Sequence, residues 1–188
     1  MEVKEIIKNT ANILNLKSII DYLDSDNNQE VSVEVLQDIS NIVLAVNMTN
    51  NNIASNYLEL IDVVEIKNYK KILPYSEITN KDIIEIKKVM DLNGNELDYK
   101  VMPNGVMTEC DNIKIEFSYF PEIVGIEDSI NYYTKVNALT FALGVAGEYL
   151  FLKGAIDDAY MWDKRFKSNL FNVLRPRRNV KIPARRWV

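Results

Sequence analysis

Residues 138–174 have the sequence ALTFALGVAGEYLFLKGAIDDAYMWDKRFKSNLFNVL and predict a helical hairpin. Apolar residues recur at helical spacing from Ile126 to Leu152, and Gly154 lies where a helix is expected to end. A second helix is predicted from about Ala155 to Leu174. Because the connection is short, the two helices should fold back on each other as an antiparallel pair.

Small and aromatic residues in this hairpin predict close packing. Gly144 and Gly147 are three residues apart, so another backbone can approach one side of the first helix. Aromatic side chains on the second helix are more typical of core or inter-subunit packing than of base stacking. We assign helix packing or a subunit interface to Gly144, Gly147, Tyr149, Tyr160, Trp162 and Phe166.

The C-terminal section is strongly basic. Residues 164–188 hold nine cations and no acid, whereas the other 163 residues hold 13 cations and all 27 acids, a net charge of −14. Pro176 and Pro183 prevent regular structure, so residues 175–188 are predicted to be an extended tail. Clustered like charges repel each other unless an acidic partner receives them. Composition alone does not distinguish an acidic protein surface from nucleic acid.

The rest of the chain has a helical zone followed by a strand zone. Helices are predicted from Glu2 to Leu16, from Ser18 to Leu23 and from Val31 to Met48, the last one ending near the Asn-rich residues 49–52, with a short helix at residues 53–60. Residues 24–29 are a predicted polar loop. Alternating β-branched residues then predict four or five antiparallel strands, at residues 63–72, 83–90, 97–102 and 113–120.

Turns separate these strands. Residues 73–82 and 103–105 are predicted turns, and Asn93-Gly94 predicts a type I′ hairpin. The same DLNG segment resembles the start of a calcium loop, but the later acidic ligands and the closing glutamate are absent. A hairpin is therefore the better interpretation.

Residue usage argues against most enzyme classes. The chain has no histidine, which removes the commonest general base and the His-bearing zinc sites, and its six glycines form no phosphate loop. The single cysteine, Cys110, cannot form an internal disulfide or a thiolate cluster. Asp157 and Asp158 are adjacent and would point apart on a helix, so they are expected to be a solvated helix start. We predict no catalytic, cofactor-binding or metal-binding residue.

Targeting signals are also missing from the pattern. No run of roughly 18 apolar residues occurs. The first ten residues, MEVKEIIKNT, contain acids and a helical period, whereas a signal peptide would have a basic and then an apolar region. We therefore expect the chain to be made and kept in the cytosol, with no membrane association.

The predicted elements give an α+β fold class, a helical bundle with an inserted small antiparallel β-domain and an extended C-terminal tail. The expected organisation is a single unit with N-terminal helices at residues 1–61, the β-domain at 62–121, the helical hairpin at 122–174 and the basic tail at 175–188.

Two passages and the chain's ending resemble one family. They are LPYSEITNKDIIEIKKVMDLNGNELDYKV (residues 73–101), ALTFALGVAGEYLFLKGAIDDAYMWDKRF (138–166) and ARRW (184–187). The helix pattern of Gly144, Ala146, Glu148 and Tyr149, followed by a glycine turn and an acidic helix start, is similar to the head-to-tail adaptors of short-tailed bacteriophages. These are also called connector or tail tubular A proteins.

The resemblance implies a structural virion protein of the neck, assembled in the host cytoplasm. It implies a ring, a dodecamer, seated between the portal protein and the tail nozzle or tail tube protein, through which genomic DNA passes without specific binding. The portal would be bound by the tail residues Arg175, Arg177, Arg178, Lys181, Ile182, Arg185, Arg186, Trp187 and Val188.

Three other interpretations stay open on sequence alone. The same arginines could contact phosphates while Trp187 stacks on a base, which would make the chain a nucleic-acid-binding module. A pair of carboxylates could act as a glycosidase. The tail could also be a solvated basic end with no partner.

Overall fold

The computed structural model describes residues 1–24, 32–67 and 71–175, and the structural statements below concern those residues. In this part of the chain, six helices accompany two small antiparallel sheets. The predicted α+β class is confirmed. Residues 176–188 and most of the predicted polar loop lie outside the described ranges.

Two short helices begin the fold, α1 (Val3–Leu14) and α2 (Lys17–Asp24), close to the predicted bounds. They are separated by Asn15, whose backbone adopts the left-handed conformation with φ of 56°. The Leu16 N–H then donates to the Ala11 carbonyl at 2.9 Å. These are features of a Schellman motif, with asparagine in the position that glycine usually takes.

The third helix, α3 (Val33–Asn56), is longer than predicted. It begins at Ser32, whose hydroxyl oxygen accepts a hydrogen bond from the Val35 N–H. The prediction that it ends at the Asn-rich residues 49–52 is wrong. Of the short helix predicted at residues 53–60, residues 53–56 are the last section of α3, residues 57–59 are not helical and Leu60 begins a strand. Ile53 and Ala54 are fully buried, so burial of this face outweighs the weak helix propensity of asparagine.

The described residues of the β-domain, which leave out residues 68–70, form six strands and a short helix. In chain order these are β1 (Leu60–Lys67), β2 (Ile72–Pro74), α4 (Tyr75–Ile78), β3 (Ile83–Met90), β4 (Lys100–Met102), β5 (Gly105–Met107) and β6 (Asn112–Tyr119). One sheet has the order β1-β6-β3 and the other β2-β5-β4, with antiparallel pairing throughout. The predicted count of four or five strands is therefore too low.

Two details of the strand prediction are also corrected. Residues 63–72 are not one strand, because β1 ends at Lys67 and Ile72 already belongs to the second sheet. Residues 73–82 are not only a turn, since they contain the end of β2 and α4. The pairing partners of Ile72 and Leu73 lie more than 30 residues away, so the division into two sheets follows from contacts that local alternation does not encode.

The loop at residues 91–95 connects strands as expected but is not a type I′ turn. That turn needs positive φ at both central residues, and Gly94 alone in this loop has it, with φ of 88°. The Gly94 N–H donates to the Asp91 carbonyl at 3.1 Å, and the Asp91 N–H donates to the Asn95 carbonyl at 2.9 Å. This pattern fits a type I turn followed by a left-handed glycine.

The predicted helical hairpin is present as α5 (Ala138–Leu152) and α6 (Ile156–Leu174). Its first helix was expected from Ile126, but residues 126–137 are not helical. Asn137 starts α5 because its side-chain oxygen accepts the Thr140 N–H at 2.7 Å. Gly154 has φ of 78°, and the Gly154 and Ala155 N–H groups close a Schellman motif on the Phe151 and Leu150 carbonyls.

The apolar residues form two clusters. The larger joins α1, α2, α3, α5 and α6, and it also takes Val124, Ile130, Tyr133 and Val136 from the segment before α5. The smaller lies within the β-domain around Phe117. Tyr119 packs against both clusters, so the end of β6 connects the helical body with the β-domain.

Candidate functional site

The two glycines of α5 lie where other elements pack most closely. A Cβ atom at Gly144 would be 2.8 Å from the Thr49 Cγ2 atom and 3.1 Å from the Phe166 ring. A Cβ atom at Gly147 would be 3.2 Å from the backbone nitrogen of Asp163 on α6. The absence of side chains at these positions therefore lets α5 contact both α3 and α6 closely.

The four aromatic residues assigned to packing take different positions. Phe166 is buried beside Tyr57, with the two rings edge to face at 6.5 Å, and Tyr149 is buried in the helical core. Trp162 is half-buried, and the Arg165 guanidinium lies 4.8 Å from its ring centre. Tyr160 is 71% exposed. Only Tyr160 is thus available to a partner through most of its surface.

A groove of about 300 Å³ runs between α3, α5 and α6. It brings together four of the predicted residues, Gly144, Gly147, Tyr160 and Phe166, and leaves Tyr149 and Trp162 outside its lining. The remaining lining residues are Thr49, Asn52, Glu148, Phe151, Ile156, Ala159 and Asp163.

The outer part of the groove is apolar and open to solvent. Phe151 is 57% exposed and Ile156 is 54% exposed, although both are large apolar side chains. Together with Tyr160 they form a continuous apolar rim at the turn of the hairpin. Exposed apolar patches of this kind are typical of surfaces that bind another protein segment.

The inner part of the groove carries acidic and polar groups. Burial raises the pKa of the Glu148 carboxyl group above its ordinary value, and the negative charge of Asp163 adds to this effect, while Lys167 opposes it. Asp163 itself is 2.7 Å from the Lys167 ammonium group. Thr49 is buried, and its hydroxyl oxygen has no hydrogen-bond partner among the described residues. A positively charged hydrogen-bond donor in the groove would stabilise the ionised form of Glu148, whereas Asp163 already has Lys167 as a partner.

Most of this lining was not predicted from the sequence. Thr49 and Asn52 belong to a part of α3 that was predicted to be the end of a helix, and Glu148 entered only through the family pattern. Phe151, Ile156 and Tyr160 carry one usable signal, since they are large apolar residues on both sides of a glycine turn, where solvent exposure is expected.

The basic tail lies mostly outside the described residues. Arg175 is exposed at the end of α6, where its N–H donates to the Phe171 carbonyl at 2.9 Å. The other assigned tail residues, Arg177, Arg178, Lys181, Ile182, Arg185, Arg186, Trp187 and Val188, fall beyond residue 175. Three further cations of the basic section are exposed on α6, namely Lys164, Arg165 and Lys167.

Other candidate groups take the positions expected of them or are unremarkable. Asp157 and Asp158 are exposed in the first turn of α6, and Cys110 is a free, half-buried thiol. In residues 1–24, 32–67 and 71–175, no group of three or more His, Cys, Asp or Glu side chains could hold a metal ion. Over the same ranges, no helix combines the length and the apolar character needed to cross a bilayer.

Comparison with protein-family models and with curated proteins finds no match to this sequence.

Proposed function

We propose that this chain is a head-to-tail adaptor of a short-tailed bacteriophage, a structural ring protein between the portal and the tail. The observation that carries the proposal is the separation of charge along the chain. The last 25 residues have a net charge of +9, whereas the first 163 residues have a net charge of −14. Five of these nine cations belong to residues 176–188, and the other four lie on α6 or at its end. A basic C-terminal segment on an acidic body is suited to reaching an acidic partner outside its own subunit.

The order of elements supports the same function. The resemblance implies N-terminal helices, a small β-domain, a helical hairpin and then a tail. The chain has helices α1 to α3, a β-domain from Leu60 to Tyr119 and the α5–α6 hairpin in that order. The resemblance and the fold are thus consistent with each other.

Exposed apolar residues support an assembly role. Ile123 is 88% exposed, and the rim residues Phe151, Ile156 and Tyr160 are each more than half exposed. A protein that forms a ring must contact two neighbours and also the components above and below it, so several apolar surfaces are expected on a free subunit.

The tail has the residues needed to bind a protein partner. The arginines can make bidentate hydrogen bonds to carboxylates, while Ile182, Trp187 and Val188 supply an apolar anchor. Residues 175–188, which follow α6, could extend over roughly 46 Å at about 3.3 Å per residue. This length would let the tail leave its own subunit and lie between portal subunits.

The decisive experiment removes the last four residues, 185–188, which contain Arg185, Arg186 and Trp187. The shortened protein should keep the circular dichroism spectrum and melting temperature of the full chain but lose attachment to DNA-filled heads. Attachment is measured by sedimenting heads with bound protein and by counting infectious particles. Retained attachment with infectious particles would refute the docking role of the tail.

A matched pair of variants separates position from charge. Arg185→Ala/Arg186→Ala and Lys100→Ala/Lys135→Ala each remove two positive charges, and Lys100 and Lys135 are exposed outside the tail. Only the first pair should reduce attachment to heads. Equal reduction by both pairs would indicate that net charge, rather than the tail, controls binding.

Nucleic-acid binding by the tail is tested separately with a salt series. Counterion release predicts that a protein bound through several phosphates loses DNA affinity steeply as salt increases. An adaptor should instead bind double-stranded DNA weakly at every moderate salt concentration in a filter-binding assay. Tight binding with a steep salt dependence would favour the nucleic-acid-binding module.

A further inference from the structure

The groove between α3, α5 and α6 and the C-terminal segment, residues 176–188, have complementary chemistry. Among the described residues that line the groove, Glu148 and Asp163 are acids and none is a cation. The segment has five cations and no acid. A guanidinium group would offer Glu148 a charged donor, and a second one could join Lys167 at the Asp163 carboxylate.

The apolar parts match as well. Phe151, Ile156 and Tyr160 are apolar or aromatic and more than half exposed, and the segment ends in the apolar residues Trp187 and Val188. Tryptophan buries more apolar surface than almost any other side chain and keeps one N–H available as a donor. Val180 and Ile182 provide further apolar groups at alternate positions, as an extended strand would present them.

The segment is also long enough to reach the groove of its own subunit. The helix α6 has 19 residues and rises about 28 Å at roughly 1.5 Å per residue, and the groove lies along its first half. A fully extended segment of the length of residues 176–187 would span about 40 Å at roughly 3.3 Å per residue. After a chain reversal at Pro176, Trp187 can therefore return to Ile156 and Tyr160.

We propose that in the free protein this groove binds residues 176–188 of the same chain, with Trp187 on the apolar rim and arginines at Glu148 and Asp163. The tail is then withheld until a portal competes for it. The release of the tail by a portal rests on the proposed adaptor function, whereas the binding of residues 176–188 in the groove does not. The chain's own segment is favoured over that of a second copy because it is covalently linked, and because two bodies (residues 1–175, with 17 cations and 27 acids, a net charge of −10) repel each other.

The test uses the fluorescence of Trp187 in the full-length chain. The sequence has two tryptophans, and Trp162 does not line the groove, so a Trp162→Phe background leaves Trp187 as the one reporter. Trp187 emission should be blue-shifted and protected from acrylamide relative to the same protein in denaturant. Adding Ile156→Ser/Tyr160→Ser should shift the emission to the red and raise the quenching constant toward the denatured value.

Matched controls exclude general effects of the substitutions. Leu139→Ser removes a similarly exposed apolar side chain from α5 outside the groove, and it should leave Trp187 protected. Glu148→Gln should increase quenching, whereas Glu109→Gln, at an exposed acid of the β-domain, should not. Circular dichroism and melting establish that each variant is folded.

Three results would overturn the proposal. Trp187 could be fully exposed in the folded protein, or its protection could be insensitive to the groove variants, which would place the segment elsewhere. Protection that appears only as protein concentration increases, together with a larger species in sedimentation velocity, would assign the groove to a second copy. None of these results affects the head-attachment assay, so loss of docking with normal tail-dependent attachment refutes this inference alone.

Discussion

Asp91 shows how one side chain selects a turn. Its Oδ1 atom accepts hydrogen bonds from the Asn93 and Asn95 N–H groups at 2.8 Å, and its Oδ2 atom accepts one from the Asn95 side-chain amide. The pKa of Asp91 is held below its ordinary value of 3.8, first by the hydrogen bond from the Asn95 side-chain amide, which is the largest cause, and next by the one from the Asn95 backbone N–H. The ionised carboxylate therefore stabilises the loop.

Replacing Asp91 with alanine should lower the melting temperature at neutral pH, because three donors lose their charged acceptor. A depressed pKa contributes stability that is present above pH 3.8 and is lost as the pH falls through the lower folded value. The difference in melting temperature between wild type and Asp91→Ala should consequently shrink at acid pH. Thermal melts across a pH series measure this difference.

The control is Asp98→Ala, which removes an exposed acid from the same β-domain. It should change the melting temperature little at any pH. A pH-independent loss in Asp91→Ala would mean that the carboxylate charge does not support the loop.

For individual residues, the positions of turns were predicted more accurately than the turn types. Gly94 and Gly154 were both expected at chain reversals, and both have positive φ. The type I′ assignment failed because it depends on the φ angle of Asn93, and the Asp91 carboxylate fixes that residue through its N–H. Such a bond between a side chain and a nearby backbone group competes with the statistical preference of an Asn-Gly pair.

Among the elements, the α5–α6 hairpin gives the sharpest prediction about packing. Replacing Gly147 with leucine should reduce the free energy of unfolding by about 1 to 3 kcal/mol, because overpacking forces helices apart. The obstructing atoms are the Asp163 backbone nitrogen and the Ala159 carbonyl oxygen, which move only with the whole of α6. Urea denaturation followed by circular dichroism measures the change.

Gly125→Leu is the matched control for that substitution. Gly125 is exposed and has ordinary φ, and a Cβ atom there would meet one carboxylate oxygen at 3.4 Å. It should be nearly neutral. If Gly147→Leu were equally neutral, the close contact of α5 with α6 would have no energetic importance.

The turn between the same helices tests backbone strain without crowding. A Cβ atom at Gly154 would meet no atom within 4 Å, but φ is 78°. Gly154→Ala should therefore lose roughly 1 to 2 kcal/mol through the left-handed conformation alone. Gly154→Asn should lose less, since Asn15 already adopts this conformation at the end of α1. Equal losses for both variants in urea denaturation would point to a cause other than backbone strain.

Helix positions were predicted more accurately than helix ends. The extension of α3 through residues 49–52 depends on the burial of Ile53 and Ala54 against other helices, which is a tertiary effect. The helix α5 starts later than predicted, at the Asn137 cap. The apolar residues Ile130 and Val136, which precede the cap, are buried but not helical. In both cases the apolar pattern indicated a buried segment, but it did not indicate at which residue the helix begins or ends.

For the whole molecule, the charge of the body leads to a prediction about assembly. We expect the free protein to be largely monomeric, because a net charge of −14 on residues 1–163 opposes ring formation unless a portal supplies contacts. Sedimentation velocity at low salt should show one species with the mass of one chain. A stable ring in dilute solution without portal would contradict this expectation.

The fold class was predictable because long apolar patterns indicate element type, whereas the groove was not. Its lining combines Thr49 from α3 with Glu148 and Asp163 from the hairpin, which follow it by 99 and 114 residues. No local pattern in the sequence indicates that these residues meet. The division of the strands into two sheets has the same cause, since it depends on pairing between distant segments.

The helical core has a consequence for the order of folding during synthesis. Helices α1 and α3 contact α5, yet the whole β-domain is translated after α3 and before α5. The ribosome therefore exposes the apolar faces of α1 and α3 long before their partner helix exists, whereas the β-domain can close as soon as β6 emerges. Because synthesis proceeds at roughly 5 to 20 residues per second, the N-terminal helices must wait several seconds for α5. Nascent chains stalled at a length at which β6 has left the ribosomal exit tunnel while α5 is still inside it should show protected β-domain amides and unprotected amides in the N-terminal helices.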